Sequence, residues 1–214
     1  MRRMSERRWS GFALPAVLLT LAIALVAFAE GSVAQKPLAT QTQSIEILAR
    51  EIDGFDRQHG ERRQFGRLEW RGGLVLNSPA AVFGGWSGLV LDDDGRRLLA
   101  ISDSGTWMSA EVTYRGVKPA GLRNAQVGPL LGLGGKRLTR TRDRDAEALT
   151  LVEGNLGRGT VLIAFEGNHR IGRFRVGDDG VSEPLSYIEL PPEARRVRSN
   201  IGFESVAVLQ AGRF

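Results

Sequence analysis

From about residue 85 onward, short apolar runs alternate with glycine-rich polar breaks, the pattern of a chain built from β-strands and tight turns. Three segments align: Gly85-Trp86-Ser87-Gly88-Leu89-Val90-Leu91, Asp145-Ala146-Glu147-Ala148-Leu149-Thr150-Leu151 and Gly202-Phe203-Glu204-Ser205-Val206-Ala207-Val208. Each carries a polar residue (Ser87, Glu147, Glu204), then a small one (Gly88, Ala148, Ser205), and finishes in aliphatics. Their spacing is a repeat of about 60 residues. Apolar residues at consecutive positions predict a strand buried on both faces.

The first two repeats continue alike. A glycine turn leads to a second strand, Leu98 to Ser102 or Val161 to Phe165, which ends on an acid, Asp103 or Glu166. A third strand follows, roughly Met108 to Tyr114 or Ile171 to Val176, and Pro184 to Leu190 reads as an outer strand of the second repeat. Three or four antiparallel strands per repeat predict an all-β, β-propeller-like fold; a β-sandwich of repeated hairpins is the alternative. No amphipathic helical pattern separates the strands, which argues against a βαβ fold. The small residue of each repeat suits an innermost strand, where a propeller wedge is crowded. The third repeat has only its first strand, so a truncated propeller is expected.

The N-terminus has a different pattern. Arg2, Arg3, Arg7 and Arg8 precede a nearly uncharged apolar run, Ala13 to Ala29, and Ser32-Val33-Ala34 supplies small residues for cleavage. Residues 1–34 are therefore expected to form a signal peptide with a signal helix, 35–44 a linker, and 45–214 the domain. An uncleaved membrane anchor is the alternative, and a membrane partner is expected only in that case. Export places the protein in the periplasm or outside the cell.

Composition narrows the chemistry. The chain has 214 residues, 27 glycines and no cysteine, which excludes disulfides, thiolate metal sites and cysteine nucleophiles. Loss of residues 1–34 removes four arginines and two glutamates, lowering the net charge from +5 to +3. Basic and acidic residues are interspersed, as in Arg140 to Asp145, so nucleic-acid binding is not expected. No P-loop, G-x-G-x-x-G or G-x-S-x-G motif is present, and two histidines cannot build a histidine-rich metal site.

The repeat predicts where acids meet. The start of one hairpin strand lies beside the end of the next, so Glu147 is expected beside Glu166 and Ser87 beside Asp103. A radial arrangement brings Asp103, Asp145, Glu147, Glu166 and Glu204 to one channel mouth. Such a cluster repels itself; Ca²⁺ or another divalent cation relieves the repulsion, or the acids share protons as general acid and base. The plainer reading has each acid capping a turn or pairing with Arg142, Arg144, Arg170 or Arg173. His169 is a candidate acid, base or ligand and Arg170 a candidate phosphate binder, although surface roles suit both. Trp86 suits a pocket wall or, more commonly, a core position.

Several stretches together resemble the phytase-like (esterase-like activity of phytase) family. They are Phe65 to Leu76, Phe83-Gly84-Gly85-Trp86-Ser87-Gly88-Leu89, Ala100-Ile101-Ser102-Asp103-Ser104-Gly105, Asp145-Ala146-Glu147-Ala148-Leu149, Phe165-Glu166-Gly167-Asn168-His169-Arg170-Ile171 and Asn200-Ile201-Gly202-Phe203-Glu204-Ser205. The resemblance runs in order through about residues 45–214. It implies an exported propeller-like protein whose acids carry phosphodiesterase- or phytase-like chemistry on a small phosphate ester. The expected function is thus a metal-assisted phosphoesterase, with Glu147, Glu166, His169 and Arg170 catalytic and the five acids holding the metal. The alternative is a non-catalytic periplasmic propeller that binds a ligand or protein.

Overall fold

The computed structural model describes residues 37–198 and 202–209. The signal helix expected within residues 1–34 lies outside them. The described chain is mostly β-strand, with one short helix and two 3₁₀ turns. Four antiparallel strands form the heart of the first sheet: β6 (Trp86–Leu91), β7 (Arg97–Ser102), β8 (Thr106–Arg115) and β9 (Lys118–Pro129). A short N-terminal strand, β1 (Gln43–Ser44), pairs with β9, giving the order β1-β9-β8-β7-β6. The second sheet is an antiparallel meander of β10 (Ala146–Asn155), β11 (Arg158–Phe165), β12 (Arg170–Gly177) and β13 (Gly180–Tyr187). Helix α1 (Thr141–Arg144) leads into it. Before the first sheet lie two small ribbons, β2 (Leu48–Glu51) with β5 (Leu74–Asn77) and β3 (Gln64–Phe65) with β4 (Leu68–Glu69). Among the described residues the sheets do not close into a ring or barrel.

Apolar side chains from both main sheets form one core. Leu99, Ile101, Trp107 and Leu130 of the first side pack with Leu149, Val161, Ile163, Phe165 and Phe174 of the second. Phe165 and Phe174 are fully buried, with ring centroids 6.3 Å apart. Each large side chain withdrawn from water in this way contributes about 1.5–3 kcal/mol. The first strands of the two sheets, β6 and β10, come close at Gly88: a Cβ there would lie 3.0 Å from Leu149 Cβ and 2.8 Å from Ile101 Cγ1. The small residue expected at this position thus answers to crowding between strands. A second core, on the other face of the first sheet, buries Leu98, Ala100, Met108 and Val127 beneath Ala39 and Val82.

The structure corrects four expectations. Residues 39–44 are not a linker: Ala39 is buried in the second core and Gln43–Ser44 extend the sheet. The outer strand of the second sheet begins at Gly180, immediately after the Asp178-Asp179 turn, rather than at Pro184. Strand β6 is not buried on both faces, because it forms a sheet edge and leaves Leu89 and Leu91 exposed. Residues 202–209 form no strand, and Val208 and Leu209 are exposed, because no strand partner lies beside them among the described residues.

Candidate functional site

The same backbone irregularity shapes the start of both sheets. In the first, Trp86 pairs with Ser102 and Gly88 with Ile101, so Ser87 is the extra residue of a β-bulge. In the second, Ala146 pairs with Phe165 and Ala148 with Ala164, which makes Glu147 the extra residue. A bulge re-aims the side chain it carries. Just beyond it, Asp103 N–H donates to Gly85 O at 3.1 Å, and Glu166 N–H donates to Asp145 O at 2.8 Å. Glu166 therefore lies across from Asp145 on the backbone, two residues away from the expected alignment, while the bulge turns Glu147 toward both.

Asp145, Glu147 and Glu166 each offer a carboxylate oxygen within 4.8 Å of the others, and all three are half-buried. Burial pushes the Glu147 carboxyl up to about 7. A hydrogen bond from Ser87 opposes that shift, while the charges of Asp145 and Glu204 and a hydrogen bond with Asp145 reinforce it. Burial also raises Asp145, helped by the charges of Glu166 and Asp103 and opposed by its bond to Glu147 and by Arg144. The bond shared by the two acids lowers Asp145 and raises Glu147, so of the pair Glu147 is the more readily protonated. The structure thus brings Asp145, Glu147 and Glu166 together, with Asp103 close enough to act on Asp145 and Glu204 close enough to act on Glu147. Among the described residues, none of these five acids pairs with an arginine. Arg142 lies against Asp143 and Arg173 against Glu153 instead.

The turn from Glu166 to His169 is held from two sides. On one, Asn168 Nδ2 donates to Asp143 Oδ1 at 3.1 Å, and Arg170 donates to the Asp143 carbonyl. On the other, Gly202 N–H donates to Glu166 Oε1 at 3.1 Å. His169 Nε2 faces two carbonyls, Val197 O at 2.8 Å and Arg198 O at 3.2 Å, so it carries the proton and donates. Its Nδ1 is buried without a partner among the described residues. The ring meets Phe203 edge-on, with centroids 5.7 Å apart.

These contacts revise two expected roles. Arg170 is committed to the fold: it donates to Asn168 O and Asp143 O and stacks 3.8 Å from the Phe165 ring centroid and 5.5 Å from that of Tyr187. It is not aimed at the carboxylates, because the Phe165–Arg170 strand pairing places it over the ring of its own partner. His169 faces Val197, Arg198 and Phe203 and is not among the converging groups. Trp86 is half-buried and packs against Phe83 at 5.5 Å. The sequence pattern did not mark Ser87 as a partner of Glu147 or Gly202 as a donor to Glu166, whereas Arg144, expected near an acid, is only 6 % exposed beside Asp145. The signal for the first two was present, since both belong to the aligned segments.

No curated protein and no solved structure matches the chain. A sequence model of the family described as Phytase-like, esterase-like activity of phytase, matches residues 81–214, a span that contains both bulges and all five acids. That description points to a hydrolase-type function. With more than half of its length matched, the chain belongs to the Phytase-like family.

Proposed function

We propose that this protein is an exported, metal-assisted phosphoesterase whose reaction centre is the Asp145–Glu147–Glu166 cluster. The observation that carries the reading is the approach of three carboxylates to within 4.8 Å of one another without a salt-bridging arginine among the described residues. The donor set fits a hard divalent cation such as Ca²⁺, which takes about six to eight oxygens and no soft ligand. Asp145, Glu147 and Glu166 would hold it, with Asp103 and Glu204 adding negative charge. When bound, the cation would offset the carboxylate repulsion and polarise a phosphoryl oxygen.

The chain's own groups supply the rest. Glu147, with its carboxyl near 7 in the metal-free cluster, passes a proton readily at neutral pH and would give it up on binding the cation, serving as general acid or base only where it is not itself a ligand. The hydrogen bond that Asp145 shares with Glu147 would orient the Glu147 carboxyl. Two sheets joined at β6 and β10 with matching bulges suit neighbouring blades of a propeller, and the basic, apolar N-terminus suits export. Substrate is a small phosphate ester, in keeping with the family description.

The test is hydrolysis of a phosphodiester and of phytate by the full-length protein, with Ca²⁺ and after chelation. Turnover lost on chelation and reduced about 100-fold or more in Glu147→Gln is the expected result. Calcium binding without turnover would replace this reading with that of a non-catalytic binding module, for which the commitment of Arg170 to the fold is the favouring observation.

A further inference from the structure

We propose that His169 is a positioning residue: by its contacts with Val197, Arg198 and Phe203 it holds Gly202 in place, so that the Gly202 amide fixes the Glu166 carboxylate within the acidic cluster. The inference rests on the cluster being the reaction centre, but its geometry stands independently. His169 Nε2–H donates to Val197 O at 2.8 Å and reaches Arg198 O at 3.2 Å. The same ring packs edge-on against Phe203, on the far side of the glycine. The histidine therefore grips residues both before and after Gly202, and Gly202 N–H closes the connection on Glu166 Oε1 at 3.1 Å.

The residue between the two grips has to be small. A Cβ at position 202 would lie 2.6 Å from Glu166 Cγ, 2.7 Å from His169 Cε1 and 2.9 Å from His169 Nδ1. Gly202 is thus wedged between the ring and the carboxylate it orients. The arrangement also accounts for the buried Nδ1, which has no partner among the described residues: that edge of the ring is turned onto Gly202 and away from the converging oxygens. Without the Gly202 amide, the one hydrogen bond of Glu166 outside the strand ladder among the described residues is its backbone bond to Asp145, which does not fix a side chain with this much rotamer freedom. A group that orients a ligand in this way is worth about 10- to 100-fold in metal affinity when removed.

The test uses the full chain, Ca²⁺ alone as the probe, and two readouts. Hydrogen exchange at the Gly202 amide reports the connection whether or not a cation binds, and calorimetric titration reports the cluster. In His169→Ala, Gly202 protection should fall to that of an open amide and Ca²⁺ affinity should drop about 10-fold or more. His169→Gln, which restores an N–H donor at similar reach, should recover most of both. Gly202→Ala should weaken Ca²⁺ binding while the thermal unfolding midpoint and circular dichroism stay close to those of the parent. Gly202 protection unchanged in His169→Ala would overturn the proposal, as would loss of protection with unaltered calcium affinity. If the parent chain binds no Ca²⁺, the cation reading fails by itself, and Gly202 exchange still decides whether His169 holds Gly202 in place.

Discussion

The two main sheets begin with the same bulge and carry different chemistry on it. In the first sheet the bulged residue is Ser87, its neighbour is Gly85, and the facing strand ends in Asp103. In the second these places hold Glu147, Asp145 and Glu166. The backbone connection from the facing strand is conserved in kind, an N–H donated across the end of the hairpin at 3.1 Å and 2.8 Å. Three carboxylates therefore stand where the first sheet has one. The comparison teaches that the bulge supplies aim, and that the residue placed on it decides whether the aim gathers charge. It also shows the sheets cooperating, since Ser87 of the first donates to Glu147 of the second.

That contrast can be broken most forcefully at Gly85. Its φ of +66° is a left-handed conformation, and a Cβ there would lie 2.4 Å from Asp103 Oδ1. Gly85→Ala should cost about 2 kcal/mol, measured by urea unfolding, from backbone strain and displacement of Asp103. The corresponding Asp145 has a φ of −65°, so Asp145→Ala carries no such backbone penalty. Equal losses at the two positions would show that the left-handed backbone of Gly85 is not what its substitution disturbs.

The next effect is a pH dependence set by Glu147. Its carboxyl titrates near 7 in the fold against 4.5 in the open chain. Between those values the folded state binds more protons than the unfolded state, so without metal stability falls as pH rises from about 4.5 to 7 and then levels. Below the lower value both states are protonated and the penalty vanishes. Glu147→Gln removes the titrating group and should be more stable than the parent above pH 7 by about 1 kcal/mol, allowing for its partial exposure to solvent. Thermal unfolding at pH 5 and pH 8 in chelator checks this; a parent whose stability rises across that range would contradict the raised carboxyl.

The smallest effect isolates the contact between the sheets. The Ser87 hydroxyl holds the Glu147 carboxyl below where burial alone would place it. Ser87→Ala should raise the midpoint of Glu147 titration further, by a fraction of a pH unit (about 0.5), as followed by carbon NMR of the side-chain carboxyl. A downward movement would mean that the hydroxyl accepts from a protonated Glu147 rather than donating to it.

The strands that could be read from the chain were those with unbroken apolar runs. Leu98 to Ser102 and Val161 to Phe165 appear nearly as expected because both of their faces are buried between other elements. Strand β9 escaped notice because Pro119, Gly121, Asn124 and Gly128 interrupt its pattern. It is held instead by its long pairing with β8, which absorbs a bulge at Asn124, where φ is +51°. Strand β1 is too short to carry a pattern, and only its pairing with β9 makes it a strand. The acids were legible because they recur at aligned positions. His169 and Arg170 were legible as polar residues near an acid, but their partners, Val197, Phe203, Asp143 and Tyr187, lie far along the chain or on another strand.

The sequence by itself determined the β-rich class, the aligned segments and the identities of the acids, because strand periodicity and turn residues are local properties. Tertiary structure decided that Glu147 rather than Ala146 faces Glu166, since a bulge is fixed only when two strands pair. It decided that Glu147 titrates near neutral pH rather than near 4.5, because burial and neighbouring charges from Asp145 and Glu204 exist only after folding. And it decided that Arg170 and His169 hold the framework around the cluster, because the carbonyls and rings that claim them are assembled by the fold.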